Sequence, residues 1–488
     1  MDQLAPVQPD TAVKHRPPRC PPFREAKSVD DLLPYFDAVA KREFSPGLWA
    51  AWDLQKGEKV LLRVDSWHHP MCVEAAVKTL EKFGCDYEVI NADRGPIPTF
   101  EGHNEAELFI EMTKEIANWF EAWEKLDDEG VYDKVLWGFG GPILSERKLK
   151  VQRFPFITPE MVMSAAHTVP AEILKAIDEW TWERCRRTKR MHIVDPEGTD
   201  LWYTAHDEYF DASRTYFNEE HIKQWYPQNV AYGRTYLPGH LWGKPNFLLP
   251  GALEDGTGIV AGTMNHIGPF PHIRLKMEGS KVVDIEGGGE FGDKLRNLLD
   301  QTYNVQYPGH PDKGLMYWWE NSIGTNPKIH RPRSGYLDGW NCALYERMRS
   351  GVIHIGYGSV ISSAKETEAV LSGMPIVGHW HVHLYFPDVD IETVDGGTER
   401  IIEDGRLLAL DDPDVRAVAA KYGDPDDFLQ EDWIPAIPGI NMEGDYWRDY
   451  AHDPMDWTAT ELSICRKWHH LYMKMTGAEH AGHSHCDH

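Results

Sequence analysis

The segment from Gly57 to Asp93, GEKVLLRVDSWHHPMCVEAAVKTLEKFGCDYEVINAD, constrains the fold more than any other stretch of the chain. It opens with an apolar, partly β-branched run, and apolar residues then recur at the i, i+3, i+4 spacing of an amphipathic helix. Gly84 follows where a helix stop is expected, and a second apolar run comes next. The pattern predicts a βαβ unit and therefore parallel strands.

Three further patterns extend this layer structure. Residues 107–126 have the spacing of a strongly amphipathic helix, residues 132–141 form an apolar run that ends in glycines, and residues 170–190 have helical spacing again. Alternating strands and helices are typical of an open α/β fold. We therefore predict an N-terminal open α/β domain over residues 29–190.

The pattern changes after Met191. Short strand-like runs such as HIVDPEGTDLWYTA and IRLKMEGSKVVDIEGG are separated by Gly and Asp turns, with one clear helix at residues 291–303. We predict a β-rich α+β domain over residues 191–455. At 488 residues, the chain exceeds what one hydrophobic core usually supports, which fits two domains.

Both ends of the chain differ from these domains. Residues 1–28 are polar and proline-rich, and we predict a flexible arm that packs on a neighbouring subunit of a homodimer or larger homo-oligomer. Residues 456–488 are predicted to form a C-terminal helix followed by the His-rich tail HAGHSHCDH. Such a tail binds metal loosely more often than it forms a catalytic site.

Charge, hydropathy and cysteine usage argue against several classes of function. The formal net charge of -27 argues against nucleic acid or an anionic membrane as a partner. No apolar run approaches the roughly 18 residues that span a bilayer, and the polar N-terminus is not typical of a signal peptide. The 7 cysteines are scattered without a CxxC pair, which is typical of reduced thiols. We expect a cytoplasmic protein.

Three histidines alternate along GHWHVHLYF, where His379, His381 and His383 share one face of a predicted strand. Trp380 and Val382 share the opposite face and can pack on a core. The histidine face must meet water, carboxylates or a metal, because unpaired buried imidazoles are costly. By itself, the segment leaves a solvent-exposed polar face as an alternative.

Ligand-type side chains beside glycine or proline occur in four other segments: LPGHLWGKP (His240), WWENSIGTNP (Glu320), GVIHIGYGS (His354) and MNHIGPFPHIR (His266 and His272). Each also has an ordinary explanation. His354 in an apolar strand fits a hydrogen-bonded core histidine, and Glu320 can pair with an arginine. The segments taken singly do not decide between these alternatives.

In this order, the motifs with His240, Glu320 and His354 and the later HVH resemble the second domain of the thermophilic metallo-aminopeptidase family (aminopeptidase T type). That family also includes the iron-dependent 2,5-dihydroxypyridine 5,6-dioxygenases, and the sequence is more similar to this branch. HIVDPEGTDLWY and GEKVLLRVDS are similar to two other strands of the family. The resemblance spans residues 57 to about 410, and its strongest part is E-x-x-I-G-x-N-P followed by H-I-x-x-G.

The resemblance implies a role for each matching position. Glu320 and His354 match metal ligands of the family. His240 stands where the peptidases have a glutamate that bridges two metal ions, and an imidazole with one lone pair bridges poorly. Ile361 stands where the peptidases place a catalytic tyrosine, and His383 replaces the aspartate of an H-x-D ligand pair.

These departures imply a mononuclear centre. A two-metal hydrolase needs carboxylates to bridge and neutralise its ions. The matching residues Glu320, His381 and His383 instead offer one carboxylate and two imidazoles, which is the ligand set of mononuclear non-heme Fe(II) oxygenases. His379 is then either an outer neighbour of the site or solvent-exposed.

The function implied by the resemblance is a non-heme Fe(II) dioxygenase that cleaves a hydroxylated aromatic or N-heteroaromatic ring, with a small aromatic compound and O2 as substrates. Glu320, His381 and His383 are expected to bind the iron. His354 and His240 are expected to act in acid–base catalysis or as further ligands. Two alternatives stay open: a Zn- or Mn-dependent hydrolase of aminopeptidase or amidase type, and a metal-binding scaffold without catalysis.

Overall fold

The computed structural model describes residues 15–21, 26–42, 51–92, 125–137, 149–205, 240–242, 255–266, 268–307, 310–331, 346–358, 379–458 and 460–461. Within these ranges, helices accompany one parallel and two antiparallel sheets, in agreement with the predicted mixture of α/β and α+β structure. No helix in the same ranges has the length and apolarity that crossing a membrane requires.

The parallel sheet lies in the N-terminal part and consists of β1 (Lys59–Asp65), β2 (Asp86–Ala92), β3 (Lys134–Trp137) and β4 (Lys150–Arg153). Its order is β2-β1-β3-β4. Strand β1 pairs in parallel with both β2 and β3, and β3 pairs in parallel with β4.

Helix α1 (Leu33–Lys41) packs against helix α2 (Pro70–Phe83), which connects β1 to β2. Helix α2 begins after His69, whose ring accepts a hydrogen bond from the backbone N–H of Met71, and it ends at Gly84. Gly84 has φ 73°, a left-handed conformation that glycine adopts without steric cost. The βαβ unit predicted at residues 57–93 is confirmed.

The predicted strand at 132–141 corresponds to β3. The predicted amphipathic helix at 107–126 lies outside the described residues, except for its last two positions.

The remaining strands, in chain order, are β5 (Thr188–Asp195), β6 (Thr199–Thr204), β7 (His240–Trp242), β8 (Thr257–Met264), β9 (Pro269–Glu278), β10 (Lys281–Gly287), β11 (Trp318–Gly324), β12 (Ile353–Gly358), β13 (His379–Leu384), β14 (Asp388–Thr393), β15 (Thr398–Glu403) and β16 (Arg406–Leu407). Eight of them form an antiparallel sheet in the order β10-β9-β8-β6-β5-β14-β15-β16. The other four form a smaller antiparallel sheet in the order β13-β12-β11-β7, and this smaller sheet carries the candidate site.

The later helices are α3 (Pro159–Val162), α4 (Ala171–Arg186), α5 (Gly289–Thr302), α6 (Pro413–Ala419) and α7 (Pro425–Leu429). Helix α5 corresponds to the helix predicted at 291–303, and α4 to the helical pattern at 170–190.

Two large hydrophobic clusters share no residues. The first draws on residues between Leu32 and Val162, and the second on residues between Val169 and Leu429. The sequence analysis placed the helix at 170–190 in the first domain. The apolar face of α4, with Ile173 and Ile177, instead packs in the second cluster.

The described part of the N-terminal arm contacts later parts of its own chain. Arg16 donates two hydrogen bonds to the carboxylate of Glu431, at 2.9 and 2.8 Å. The backbones of Arg19 and Ile434 exchange two hydrogen bonds of 3.0 Å. The side chain of Glu431 is 1% exposed, and a buried carboxylate needs cationic partners. This electrostatic requirement explains why residues 15–21 lie against their own chain.

Candidate metal centre

The register of the smaller sheet places the predicted ligand residues in two adjacent rows on one face. Glu320 pairs with Gly356, and Gly356 pairs with His381. In the next row, Ser322 pairs with His354, and His354 pairs with His383. Residues directly opposite each other on neighbouring strands project to the same side of the sheet.

The opposite face of the same strands is apolar. Ile353 and Ile355 of β12, together with Val382 and Leu384 of β13, are buried in the second hydrophobic cluster. This alternation agrees with the predicted strand at His381 and His383, whose polar face meets other polar groups while its apolar face packs on a core.

Gly356 keeps open the space between Glu320 and His381. A Cβ atom at this position would lie 3.0 Å from Oε2 of Glu320 and 3.2 Å from Cδ2 of His381. Any side chain here would therefore push apart the two groups that face each other across the central strand.

The carboxylate of Glu320 faces two imidazoles. Nε2 of His354 lies 3.2 Å from Oε1, and Nε2 of His381 lies 3.3 Å from Oε2. The side chains are between 0% and 5% exposed. Ser322 donates a hydrogen bond of 2.9 Å to Oε1 and so helps to fix the carboxylate.

Burial lowers the pKa of His381 to about 3, even though hydrogen bonding to Glu320 raises it. The ring is therefore neutral near pH 7. A neutral imidazole keeps one nitrogen lone pair, which is the form in which histidine binds metals.

These distances fit a metal ion between the three groups. Two donor atoms that each lie about 2.1 Å from one ion, at an angle of about 90–110°, are about 3.0–3.4 Å apart. Both nitrogen–oxygen distances at Glu320 fall in that range. Imidazole and carboxylate together are donors that suit Fe, Mn and Zn.

His266 joins the cluster, although the sequence analysis named it only as a ligand-type residue and left it out of the site. Its ring stacks on that of His381, with centroids 3.5 Å apart and planes 9° apart. His266, His354 and His381 form a buried group whose ligand atoms lie within 4.8 Å of one another, and this group could hold a metal ion. Burial lowers the pKa of His266 well below its usual value, and the neighbouring His381 and Arg347 lower it further.

His383 is turned towards other partners than Glu320. Its Nε2 lies 2.8 Å from Nδ1 of His266, and its Nδ1 lies 3.5 Å from Oε1 of Glu346. Burial lowers the pKa of His383, and the interaction with Glu346 raises it only in part. Both ring nitrogens of His383 therefore have close neighbours within the protein.

Glu346 is held by a buried cation. Arg331 donates to both of its oxygens, and the hydroxyl of Tyr385 donates to Oε1. Burial alone would raise the pKa of Glu346, but Arg331 and His383 lower it more, so the net shift is downward. Arg347, the next residue, donates through Nη1 to Nε2 of His266.

The sequence analysis did not find Glu346, Arg347 or Arg331. They lie in a segment without a recognisable motif. In the sequence, an adjacent Glu346-Arg347 pair looks the same whether it is buried or on a solvated surface.

The structure thus brings together Glu320, His354 and His381 from the predicted set, and it places His383 in the same register row as His354. The backbone of His240 pairs with Gly324 of β11, while its side chain lies outside the described residues. The side chain of His379, Ile361 and the His-rich tail also lie outside them.

No protein-family model and no curated protein sequence matches the chain. Among solved structures, the chain is similar to 2,5-dihydroxypyridine dioxygenase from Pseudomonas putida KT2440, with a TM-score of 0.44 and 15% identity, covering 79% of this chain and 99% of that one. It is also similar to wild-type AmpT from Thermus thermophilus, with a TM-score of 0.42 and 15% identity, covering 78% of this chain and 100% of that one.

Proposed function

We propose that the protein is a mononuclear non-heme Fe(II) dioxygenase that cleaves a hydroxylated aromatic or N-heteroaromatic ring, with the iron held by Glu320, His354 and His381. The observation that carries the proposal is the pair of contacts at Glu320, where one buried carboxylate meets two imidazole nitrogens at 3.2 and 3.3 Å. Two histidines and one carboxylate form the facial set that binds Fe(II) and leaves other positions open.

This ligand set modifies the one inferred from the sequence. There, His383 was the second imidazole and His354 an acid–base residue. In the proposal, His354 takes the ligand position because its Nε2 faces Glu320, whereas the nitrogens of His383 face His266 and Glu346. His240 stays a prediction for acid–base catalysis.

When bound, the iron would supply Lewis acidity and one-electron chemistry towards O2. The side chains supply the electrostatic environment of the site. Glu320 contributes one negative charge that partly neutralises the ion, and Ser322 holds Oε1 of Glu320 in place. Burial keeps His381 neutral and its surroundings dry, which strengthens every charge interaction at the site.

The contacts of Glu346 favour one metal ion over two. A second ion needs a bridging carboxylate. The carboxylate of Glu346, which lies beside His383, already accepts hydrogen bonds from Arg331 and Tyr385. Both oxygens of Glu346 therefore already accept hydrogen bonds within the protein, which supports a dioxygenase over a two-metal hydrolase.

The test is to purify the protein without O2, load it with Fe(II), and measure O2 uptake with catechols, hydroquinones and dihydroxypyridines. Aminoacyl amides assayed with Zn(II) or Mn(II) serve as the hydrolase panel. We expect one iron per chain and O2-dependent loss of the ring absorbance with at least one hydroxylated ring.

Glu320→Gln is the matched control, because it keeps the size of the side chain and removes its charge. It should abolish both iron binding and O2 uptake. Two metal ions per chain together with amide hydrolysis and no O2 uptake would replace the proposal with the hydrolase alternative.

A further inference from the structure

Three buried side chains form a hydrogen-bonded chain whose direction is fixed at one end. The chain runs from Arg347 through His266 to His383, and Nδ1 of His383 then faces Oε1 of Glu346 at 3.5 Å. A guanidinium group only donates hydrogen bonds. The protons along the chain can therefore be placed by elimination, starting from Arg347.

Nε2 of His266 must accept, because its partner Arg347 cannot. A neutral imidazole has one N–H, so the proton of His266 lies on Nδ1 and is donated to Nε2 of His383 at 2.8 Å. That nitrogen is then an acceptor, and the proton of His383 lies on Nδ1, which faces Glu346.

This arrangement leaves His266 without a lone pair for a metal ion. The lone pair of Nε2 accepts from Arg347, and Nδ1 carries the proton. His266 nevertheless lies face to face with His381 at a centroid distance of 3.5 Å. The stack restricts rotation of the His381 ring, whose Nε2 has to point at Glu320.

We propose that His266 is a positioning residue of the metal centre, which fixes the ring plane of His381 by stacking and is not itself a ligand. This inference rests on the proposed ligand assignment, in which Glu320, His354 and His381 hold the metal. Groups that orient metal ligands in this way typically contribute about 10- to 100-fold in metal affinity.

Binding of Co(II) to the metal-free protein tests this role without any dependence on turnover. The titration uses a competing chelator and also records the visible absorption of Co(II), which reports the ligand set. Two variants separate the ring from its hydrogen bonds. His266→Phe keeps a flat ring over His381 and offers no lone pair, whereas His266→Asn removes the ring and keeps polar atoms near the position of Nδ1.

We expect both variants to bind one Co(II) with the absorption bands of the wild type. The Co(II) affinity of His266→Phe should fall by less than about 10-fold, and that of His266→Asn by about 10- to 100-fold. His354→Phe is the control for a true ligand and should lose stoichiometric binding.

Two results would overturn the inference. If both His266 variants lose stoichiometric binding as His354→Phe does, His266 is a ligand. If His266→Asn binds Co(II) as tightly as the wild type, the stack has no positioning role.

Thermal unfolding of the metal-free proteins shows whether each His266 variant folds. If one variant does not fold, the Co(II) stoichiometry and affinity of the other variant decide the test. A ¹⁵N spectrum of histidine-labelled wild-type protein adds a measurement that needs no variant. It should contain histidines with the proton on Nδ1 that persist when metal is added, and their absence would also contradict the inference.

These outcomes are distinguishable from failure of the proposed function. If the wild-type protein binds one metal ion but takes up no O2 with any ring compound, the proposed dioxygenase function is contradicted. The Co(II) affinities of the His266 variants would still test the role of His266.

Discussion

Nδ1 of His383 lies 3.5 Å from Oε1 of Glu346. The carboxylate of Glu320, whose backbone lies in the next register row, instead faces His354 and His381. Two histidines that are only two residues apart on one strand thus have different partners. His381 faces the carboxylate of Glu320, which also faces His354, and His383 faces the carboxylate of Glu346, which forms an ion pair with Arg331.

The first prediction follows from this difference. His354→Gln should lose the metal, because it removes a nitrogen that faces Glu320. His383→Gln should keep one metal per chain with affinity reduced by about 10- to 100-fold, since His383 acts on the site through His266. Elemental analysis and calorimetric titration of both variants measure the outcome. Complete loss of metal in His383→Gln would restore the ligand set that the sequence implied.

The second prediction concerns Gly356. Gly356→Ala should disrupt metal binding and cost about 1–3 kcal/mol of stability, because the added Cβ would lie 3.0 Å from Oε2 of Glu320. Gly397→Ala is the control, since its Cβ would lie in an exposed turn, 3.1 Å from the hydroxyl of Thr393 and 4.0 Å from Oδ1 of Asp395. Metal titration and urea unfolding of the two variants are compared. Normal metal affinity in Gly356→Ala would show that the strands can separate without loss of the site.

The third prediction is a pH dependence of stability from Glu197. Burial, together with the smaller effect of the neighbouring Asp195, raises the pKa of this carboxyl to about 8. The ordinary pKa of a glutamate carboxyl is 4.5, so between about pH 4.5 and pH 8 the folded state binds the proton that the unfolded state has released. Stability from this group is therefore complete below pH 4.5 and is lost as the pH rises to about 8.

Glu197→Gln removes this titration while keeping a group that can accept hydrogen bonds from Thr263 and Tyr446. Relative to the wild type, the variant should gain stability between pH 5 and pH 8, on the order of a few kcal/mol at most. Urea unfolding at both pH values measures the difference. A difference that does not change with pH would contradict the raised pKa.

The fourth prediction concerns the contact between Arg16 and Glu431. Arg16→Ala should destabilise the fold by about 1–3 kcal/mol, because the buried carboxylate keeps Arg406 but loses a bidentate partner. Arg448→Ala is the control: Arg448 pairs with Asp449 at the surface, and such pairs contribute little. Equal unfolding midpoints for the two variants would mean that the contact between Arg16 and Glu431 adds nothing to stability.

The fifth prediction is the homodimer or larger homo-oligomer that the family resemblance implies. Light scattering measures the mass of the assembly directly, and a single chain of 55.9 kDa would contradict the prediction. The mass of a variant that lacks residues 1–14, measured in the same way, then shows whether this segment is needed for the assembly.

The sequence by itself determined the features that depend on near neighbours in the chain. The βαβ unit follows from apolar spacing and from Gly84, because a helix stop is a property of one residue and its backbone. The alternation of His381 and His383 likewise placed both on one face of a strand. Motif resemblance added Glu320 and His354 as residues of the ligand type.

Only the tertiary structure decided which of these side chains meet. Alternation along a strand shows which side chains share a face, but it does not show which residues pair on neighbouring strands. A register shift between Trp318 and Glu320 determines that Glu320 pairs with Gly356 of β12. His266 reaches the site from the bend after β8, and Glu346 and Arg347 reach it from the turn before β12. The sequence marked His266 only as a ligand-type residue, and no local pattern indicated Glu346 or Arg347. Their contacts form because buried imidazoles and carboxylates need partners wherever the fold brings them, and sequence distance does not limit that choice.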